Sequence, residues 1–190
     1  MKIAGLLLAA GSARRFGSDK LRHPLPHGVA IAVQAARHLK KELDVVFAVV
    51  RPHQEDFLES LKAEGCEIVV CANAADGMGA SLACAARAAG PRDGYLVALA
   101  DMPFVRPSSI AAVRDALAGG APLAAPYFHA RRGHPVGIAG AFYEELLRLN
   151  GDVGAKAILE KGKITKIPLG DPGVIRDIDT PADLAPAARV

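Results

Sequence analysis

The 190-residue sequence predicts an α/β fold of three layers, α/β/α, with a doubly wound, mostly parallel sheet and a small antiparallel insertion. Three observations carry this. Short apolar runs recur at residues 3–10, 44–50, 67–71 and 95–100, the pattern of strands buried on both faces. Stretches of helical spacing at 29–41, 54–64 and 80–89 separate them, so right-handed crossovers would lay the strands parallel. After residue 121 the alternation becomes irregular, which suggests the antiparallel piece. The length suits a single domain over residues 1–190, one able to bury about 70% of its unfolded surface.

Each element has a local reason. The run at 3–10 stops at Gly11, and Pro24, Pro26 and Gly28 mark a turn. In 29–41, Ile31, Val33, Ala36 and Leu39 fall on one face, and a Lys-rich last turn suits the helix dipole. The amphipathic stretch 54–64 is stopped by Gly65. The Ala-rich stretch 80–89 must pack closely on the sheet. A helix from Ser108 or Ser109 to 118 precedes a short strand at 122–128. Helices at 141–149 and 153–160, strands at 163–169 and 174–178, and a last helix capped by Thr180-Pro181-Ala182-Asp183 complete the chain.

Composition narrows the function classes. Apolar residues make up 51% of the chain, yet no run approaches the roughly 18 residues of a membrane span. The net charge of +3 is too mild to argue for nucleic acid and would serve an anionic small substrate equally well. Cys66, Cys71 and Cys84 are an odd number without C-x-x-C spacing and read as reduced thiols of a cytoplasmic protein. The N-terminus resembles a short signal peptide, but its charged region is a single Lys, and cleavage near Ala13 would delete the first strand. His23, His27, His38, His53 and His129 show no ligand spacing and are expected at the surface.

The chemistry concentrates where the first strand ends. Gly11, Ser12, Ala13, Arg14, Arg15, Gly17 and Lys20 form a Gly-rich, cationic loop, where backbone N–H groups can approach phosphate oxygens and Arg and Lys add full charges. Two familiar phosphate loops fail on spacing. A Walker A loop needs four residues between its glycines and then Lys-Ser/Thr, whereas five separate Gly11 from Gly17 and no Ser or Thr follows Lys20. A dinucleotide fingerprint needs G-x-G-x-x-G and an acidic residue closing the second strand, which here ends at Arg51. Asp101, at the tip of the most apolar strand and beside Pro103, stands where Mg²⁺ would bridge triphosphate oxygens; the plainer reading is a loop acceptor or cap. Period two puts Asp177 and Asp179 on one side of an extended segment, although Asp179 before Thr-Pro could equally be a turn residue. In the stretch 73–82, Gly77, Gly79 and Ser81 would let a flat base lie against backbone. Arg131 and Arg132 beside His134 suit a substrate carrying a terminal phosphate.

Leu-Ala-Ala-Gly-x-x-x-Arg-x-Gly-x-x-Lys, Asp101-Met102-Pro103, the 73–82 loop, Gly133-His134-Pro135 with the 151–159 stretch, and Asp177-Ile178-Asp179-Thr180-Pro181 resemble, in order, the motifs of the molybdenum cofactor cytidylyltransferase group of nucleotidyltransferases. The resemblance spans residues 6–184. It implies a Rossmann-like nucleotidyltransferase fold and an enzyme that joins CTP to phosphorylated molybdopterin, giving molybdopterin cytosine dinucleotide and pyrophosphate. It implies Arg15, Lys20 and Asp101 as catalytic residues, with Lys20 facing the α-phosphate and Arg15 the β and γ oxygens. Nucleotide binding falls to Ala9, Ala10, Gly11, Ser12, Arg15, Lys20, Gly77, Gly79 and Ser81. Arg132 and His134 lie on the acceptor side, and Mg²⁺ is held by Asp101 and Asp179, with Asp177 the alternative second ligand. A molybdoenzyme or its chaperone is the implied protein partner. Guanylyltransferase relatives usually carry Leu-Ala-Gly-Gly, and a methyl at Ala10 would crowd a purine, so CTP is favoured over GTP. Phe16 departs from the family's usual Met, and residues 22–27 are unusually basic. The rival readings are a GTP-using enzyme, a non-catalytic nucleotide-binding accessory protein for molybdoenzyme maturation, and a sugar-nucleotide pyrophosphorylase, for which 190 residues leave little room.

Overall fold

The structure is a computed structural model that describes residues 1–11, 16 and 19–184. In chain order its elements are β1 (Ile3–Leu8), α1 (Ile31–Lys40), β2 (Val45–Val50), α2 (Glu55–Ala63), β3 (Glu67–Val70), α3 (Met78–Ala89), β4 (Gly94–Leu99), α4 (Pro107–Ala118), β5 (Leu123–Phe128), β6 (Arg131–Arg132), β7 (Val136–Ala139), α5 (Tyr143–Leu147), α6 (Lys156–Leu159) and β8 (Ile164–Pro168). The eight strands form one sheet in the order β3-β2-β1-β4-β7-β5-β6, with β8 on β5. The β1–β2, β1–β4, β2–β3 and β5–β8 pairs are parallel; β7 runs antiparallel to both β4 and β5, and β6 returns on β5 as a hairpin. This is the expected doubly wound, mostly parallel sheet, with the antiparallel piece located at β6–β7.

The sheet is buried on both faces because its strands are apolar on both. Ala4, Leu6 and Leu8 of β1 face the layer of α3, α5 and α6, packing with Leu82, Ala86, Leu146 and Ile158. Ile3 and Leu7 face the other layer, where α1, α2 and α4 contribute Ile31, Leu39, Leu61, Ile110 and Leu117. Burying one Leu side chain is worth roughly 2 kcal/mol, so the alternation along a six-residue strand holds both helical layers at once. No helix among the described residues is long and apolar enough to cross a membrane.

Two C-terminal expectations are corrected. Residues 174–178 are not a strand: a 3-10 helix spans Pro172–Ile175, and Ile178 after it donates its N–H to the Asp101 carbonyl at 2.9 Å and buries its side chain in the core. Pro172 has no N–H for a ladder, and Asp171 takes the Gly173 N–H for its own carboxylate at 2.9 Å. The stretch after Thr180 is, in the described residues, a single 3-10 turn, Pro181–Leu184. Its cap is reversed: the Asp183 carboxylate accepts from the backbone N–H groups of Asp179 (3.1 Å) and Thr180 (2.7 Å) and from the Thr180 hydroxyl (2.8 Å). His38 is also not a surface residue. It is half-buried, with Nδ1 donating to the Val105 carbonyl at 2.6 Å and Nε2 2.6 Å from Gln34 Nε2, and burial lowers its pKa.

Candidate active site

The chain leaves β1 toward β2 and β3 on one side, then returns to β4 on the other. The carboxyl ends of β1 and β4 therefore part around a crevice, the general ligand position in an open parallel sheet. Ala9 N donates to Val49 O and Ala100 N to Leu8 O, so both strand tips stay fixed as the chain turns out of the sheet. Asp101 emerges from β4 at that point. Lys20 comes from the opposite rim, on a short 3-10 turn, Lys20–Arg22. The buried Leu21 and Leu25 anchor that segment in the α1 layer, and the Ile31 N–H bonds His23 O, which turns Lys20 inward.

Four side chains meet there. Lys20 Nζ donates to Asp101 Oδ2 at 3.0 Å and to Asp179 Oδ1 at 3.1 Å. Carboxylate oxygens of Asp101, Asp177 and Asp179 lie within 4.8 Å of one another. Lys20 is only 9% exposed. Burial works to lower its pKa, but Asp101 and Asp179 outweigh that and hold the ammonium above its ordinary value, so it stays charged. Burial lifts the Asp101 carboxyl above the usual carboxylate range; Lys20 offsets this only in part, and Asp177 adds to it. Three carboxylates against one ammonium leave these four groups two negative charges in excess.

The donor set fits a hard divalent cation. Asp101 Oδ1 is buried and has no hydrogen-bond partner among the described residues. An ionised oxygen left so would cost a few kcal/mol, and an oxygen-seeking cation would satisfy it. Asp101 is thus the central ligand, with Asp179 and Asp177 both within reach.

Beside this cluster opens a cavity of about 270 Å³, bounded by Ala10, Gly11, Arg51, Gly77, Ser81 and Asp101. A second space of about 200 Å³ shares Leu8, Gly11 and Asp101 with it and adds Lys20 and Asp179. Of the residues read from sequence, the structure brings Ala10, Gly11, Lys20, Gly77, Ser81, Asp101 and Asp179 to this crevice, with Ala9 just below it. Ser12 and Arg15 lie outside the described residues. Gly79 has a different reason for being glycine: a Cβ there would stand 2.6 Å from Asn150 O, and its N–H bonds Gly151 O at 2.6 Å. It docks α3 on the 150–151 turn. Arg132 is exposed on β6, paired with Tyr127. His134 lines a small apolar crevice with His38, Leu39 and Met102, on the α1–α4 face; burial, helped by Arg132, lowers its pKa to about 4, so it is neutral at physiological pH.

Arg51 entered the sequence reading only as the end of the second strand, and Asp152 only within the 151–159 stretch on the acceptor side, yet both line the larger cavity. Arg51 Nε donates to Ala10 O at 2.6 Å, clamping the start of the loop. The signal was available: a residue closing the strand next to β1 in a parallel sheet must share its crevice.

The profile of the MobA-like NTP transferase domain matches residues 5–166. The chain belongs to this family. The purine catabolism protein PucB of Bacillus subtilis is 29% identical over 196 residues, covering 95% of this chain and 93% of that protein. The crystal structure of Rv0371c from Mycobacterium tuberculosis superposes with a TM-score of 0.80 at 25% identity, covering 96% and 94% of the two chains. A manganese complex of the same mycobacterial protein is also similar, with a TM-score of 0.75 at 24% identity over 96% of each chain. Molybdopterin-guanine dinucleotide biosynthesis protein A from Archaeoglobus fulgidus shares the fold, at 21% identity and a TM-score of 0.69 over 95% and 94% of the chains. As a member of the MobA-like family the protein is a nucleotidyltransferase acting on nucleoside triphosphates, and such transferases generally use divalent metals.

Proposed function

We propose that the protein is a Mg²⁺-dependent cytidylyltransferase that transfers CMP from CTP to a phosphorylated molybdopterin, with the whole chain acting as one catalytic domain. One observation carries this reading: Lys20 and three carboxylates converge beside the cavity that Asp101 lines, with Asp101 Oδ1 buried and unsatisfied among the described residues. A terminal phosphate oxygen of the acceptor attacks the α-phosphorus of CTP, the bond from that phosphorus to the β-bridging oxygen breaks, and pyrophosphate leaves. The reaction needs positioning and charge neutralisation more than covalent chemistry. Bound at Asp101 and Asp179 or Asp177, Mg²⁺ would supply Lewis-acid neutralisation of phosphate oxygens.

The chain's own groups do the rest. Lys20, charged at neutral pH, faces the α-phosphate and stabilises the charge that grows there. Arg15 is assigned to the β and γ oxygens on its motif position. Gly11 leaves its backbone open to the phosphates, since none of the described residues lies within 4 Å of where a Cβ would stand. Arg51 holds the Ala10 carbonyl and thereby the loop. The Ala10 methyl occupies room that glycine would leave for a purine, which supports CTP over GTP. On the acceptor side Arg132 offers charge, whereas neutral His134 offers only a hydrogen bond. The cluster's completeness counts against a non-catalytic accessory role.

The test is pyrophosphate release with CTP, GTP, UTP or ATP, Mg²⁺ and phosphorylated molybdopterin. Release with CTP is expected. Release with GTP alone would overturn the base assignment, and release with no nucleotide would overturn the enzyme proposal.

A further inference from the structure

We propose that Asp171 is a positioning residue for the cation site: its buried carboxylate pins the 171–179 segment to the 101–109 stretch and so sets where Asp177 and Asp179 stand relative to Asp101. The proposal rests on the reading of these three carboxylates as a divalent-cation site.

Asp171 is 4% exposed and touches no part of the crevice described above. Its Oδ2 accepts from Arg106 N at 3.0 Å and from Ser109 Oγ at 2.6 Å, both at the start of α4, and its Oδ1 accepts from Gly173 N at 2.9 Å. The Arg106 guanidinium adds an ion pair at 3.7 Å. From this anchor the segment runs back along the residues that follow β4. A Cβ on Gly173 would stand 2.1 Å from Phe104 O, so the two backbones are in direct contact there. The Arg176 guanidinium lies 4.2 Å above the Phe104 ring. Ile178, between the two ligand candidates, donates its N–H to Asp101 O at 2.9 Å. Val174 O accepts from His134 N at 2.8 Å on the other flank.

Apart from the Asp171–Gly173 bond inside the segment and the Val174–His134 bond, these contacts are made to residues 101–109, the stretch that also carries Asp101. Asp171 is the anchor farthest from the cluster and the one that ties the segment to a long helix rather than to a loop. Fixing both ends of the 171–178 segment on one rigid stretch leaves Asp177 and Asp179 little freedom in distance from Asp101. Residues that orient metal ligands from behind commonly change metal affinity by about 10- to 100-fold when removed. An Asn at 171 keeps one acceptor but turns an NH₂ toward a backbone N–H or the Ser109 hydroxyl, so it cannot keep all three bonds.

The probe is Mn²⁺ binding to the full-length protein, read from the free-ion electron paramagnetic resonance signal without nucleotide. Asp171→Asn is expected to weaken Mn²⁺ binding by at least about 10-fold, and to regain transferase kcat at saturating Mn²⁺, which Asp101→Asn would not. Leu61→Ala, which empties a fully buried site in α2 beside the far edge strand, is expected to lower thermal stability and leave Mn²⁺ affinity unchanged. Unchanged Mn²⁺ affinity in Asp171→Asn overturns the proposal, as does an equal loss in Leu61→Ala. If Asp171→Asn does not fold, Ser109→Ala, which removes only the 2.6 Å bond, carries the same expectation of weakened binding, and wild-type affinity there overturns it. Asp101→Asn separates the two levels. If it binds Mn²⁺ normally, the cation-site reading falls and takes the proposal with it; if it loses Mn²⁺ while Asp171→Asn keeps it, only the role of Asp171 falls.

Discussion

A lysine held at 3.0 and 3.1 Å between two aspartates is the residue-scale fact with most consequence. Its partners hold its pKa above the ordinary lysine value, so near neutral pH its contribution to transfer is a charge, not a proton. Lys20→Ala should lower kcat by at least about 100-fold, the scale of one preorganised charge, in a steady-state pyrophosphate assay. Wild-type turnover would remove Lys20 from the chemistry. His134 gives a second expectation, on stability. Its pKa is about 4 in the fold and near 6.5 when unfolded, so the unfolded chain takes up the proton first as pH falls. The stability at stake is complete above about pH 6.5 and is lost between there and 4, up to roughly 3 kcal/mol. Urea midpoints at pH 7.5 and 5 should therefore differ more for the wild type than for His134→Gln.

Glycines separate packing from ligand approach at the scale of elements. Gly79→Ala drives a methyl into the Asn150 carbonyl, and prising α3 from the 150–151 turn should cost about 1–3 kcal/mol in denaturant titrations. Gly11→Ala meets none of the described residues within 4 Å and has no positive φ, so its stability should stay within about 0.5 kcal/mol of wild type while the KM for the nucleotide rises. An unchanged KM would show that phosphates do not approach the backbone there. The same elements show what was legible beforehand. β1, β2 and β4 were readable because strands buried on both faces must be apolar throughout, and the helices between them because a one-sided stripe repeats at 3.6 residues. β7 was not: Val136–Ala139 is four residues long, half of them Gly and Ala, and its place between β4 and β5 depends on distant partners. Residues 174–178 misled because apolar alternation resembles a strand when the competing acceptor is a side chain, here Asp171. Lys20, Asp101 and Asp179 were legible through motif order, and Asp152 through the 151–159 stretch without a role; Arg51 was not, since only the topology brings it beside Ala10.

Taken whole, the molecule places a negatively charged clasp at the split between β1 and β4, and cation binding should feed back on folding. A divalent ion at about 100 times its Kd should add about 2.7 kcal/mol to unfolding free energy. The melting temperature should rise with Mn²⁺ in the wild type and stay flat in Asp101→Asn; a rise in both would locate the ion elsewhere. The clasp also has an order of assembly. All eight strands are complete by Pro168, whereas Asp171, Asp177 and Asp179 come afterwards, and Lys20 meets Asp179 across 159 positions of chain. A chain that has emerged only as far as Pro168 carries all the described strands but lacks Asp177 and Asp179. The cluster at the crevice rim therefore closes only when a late segment folds back on residues laid down much earlier.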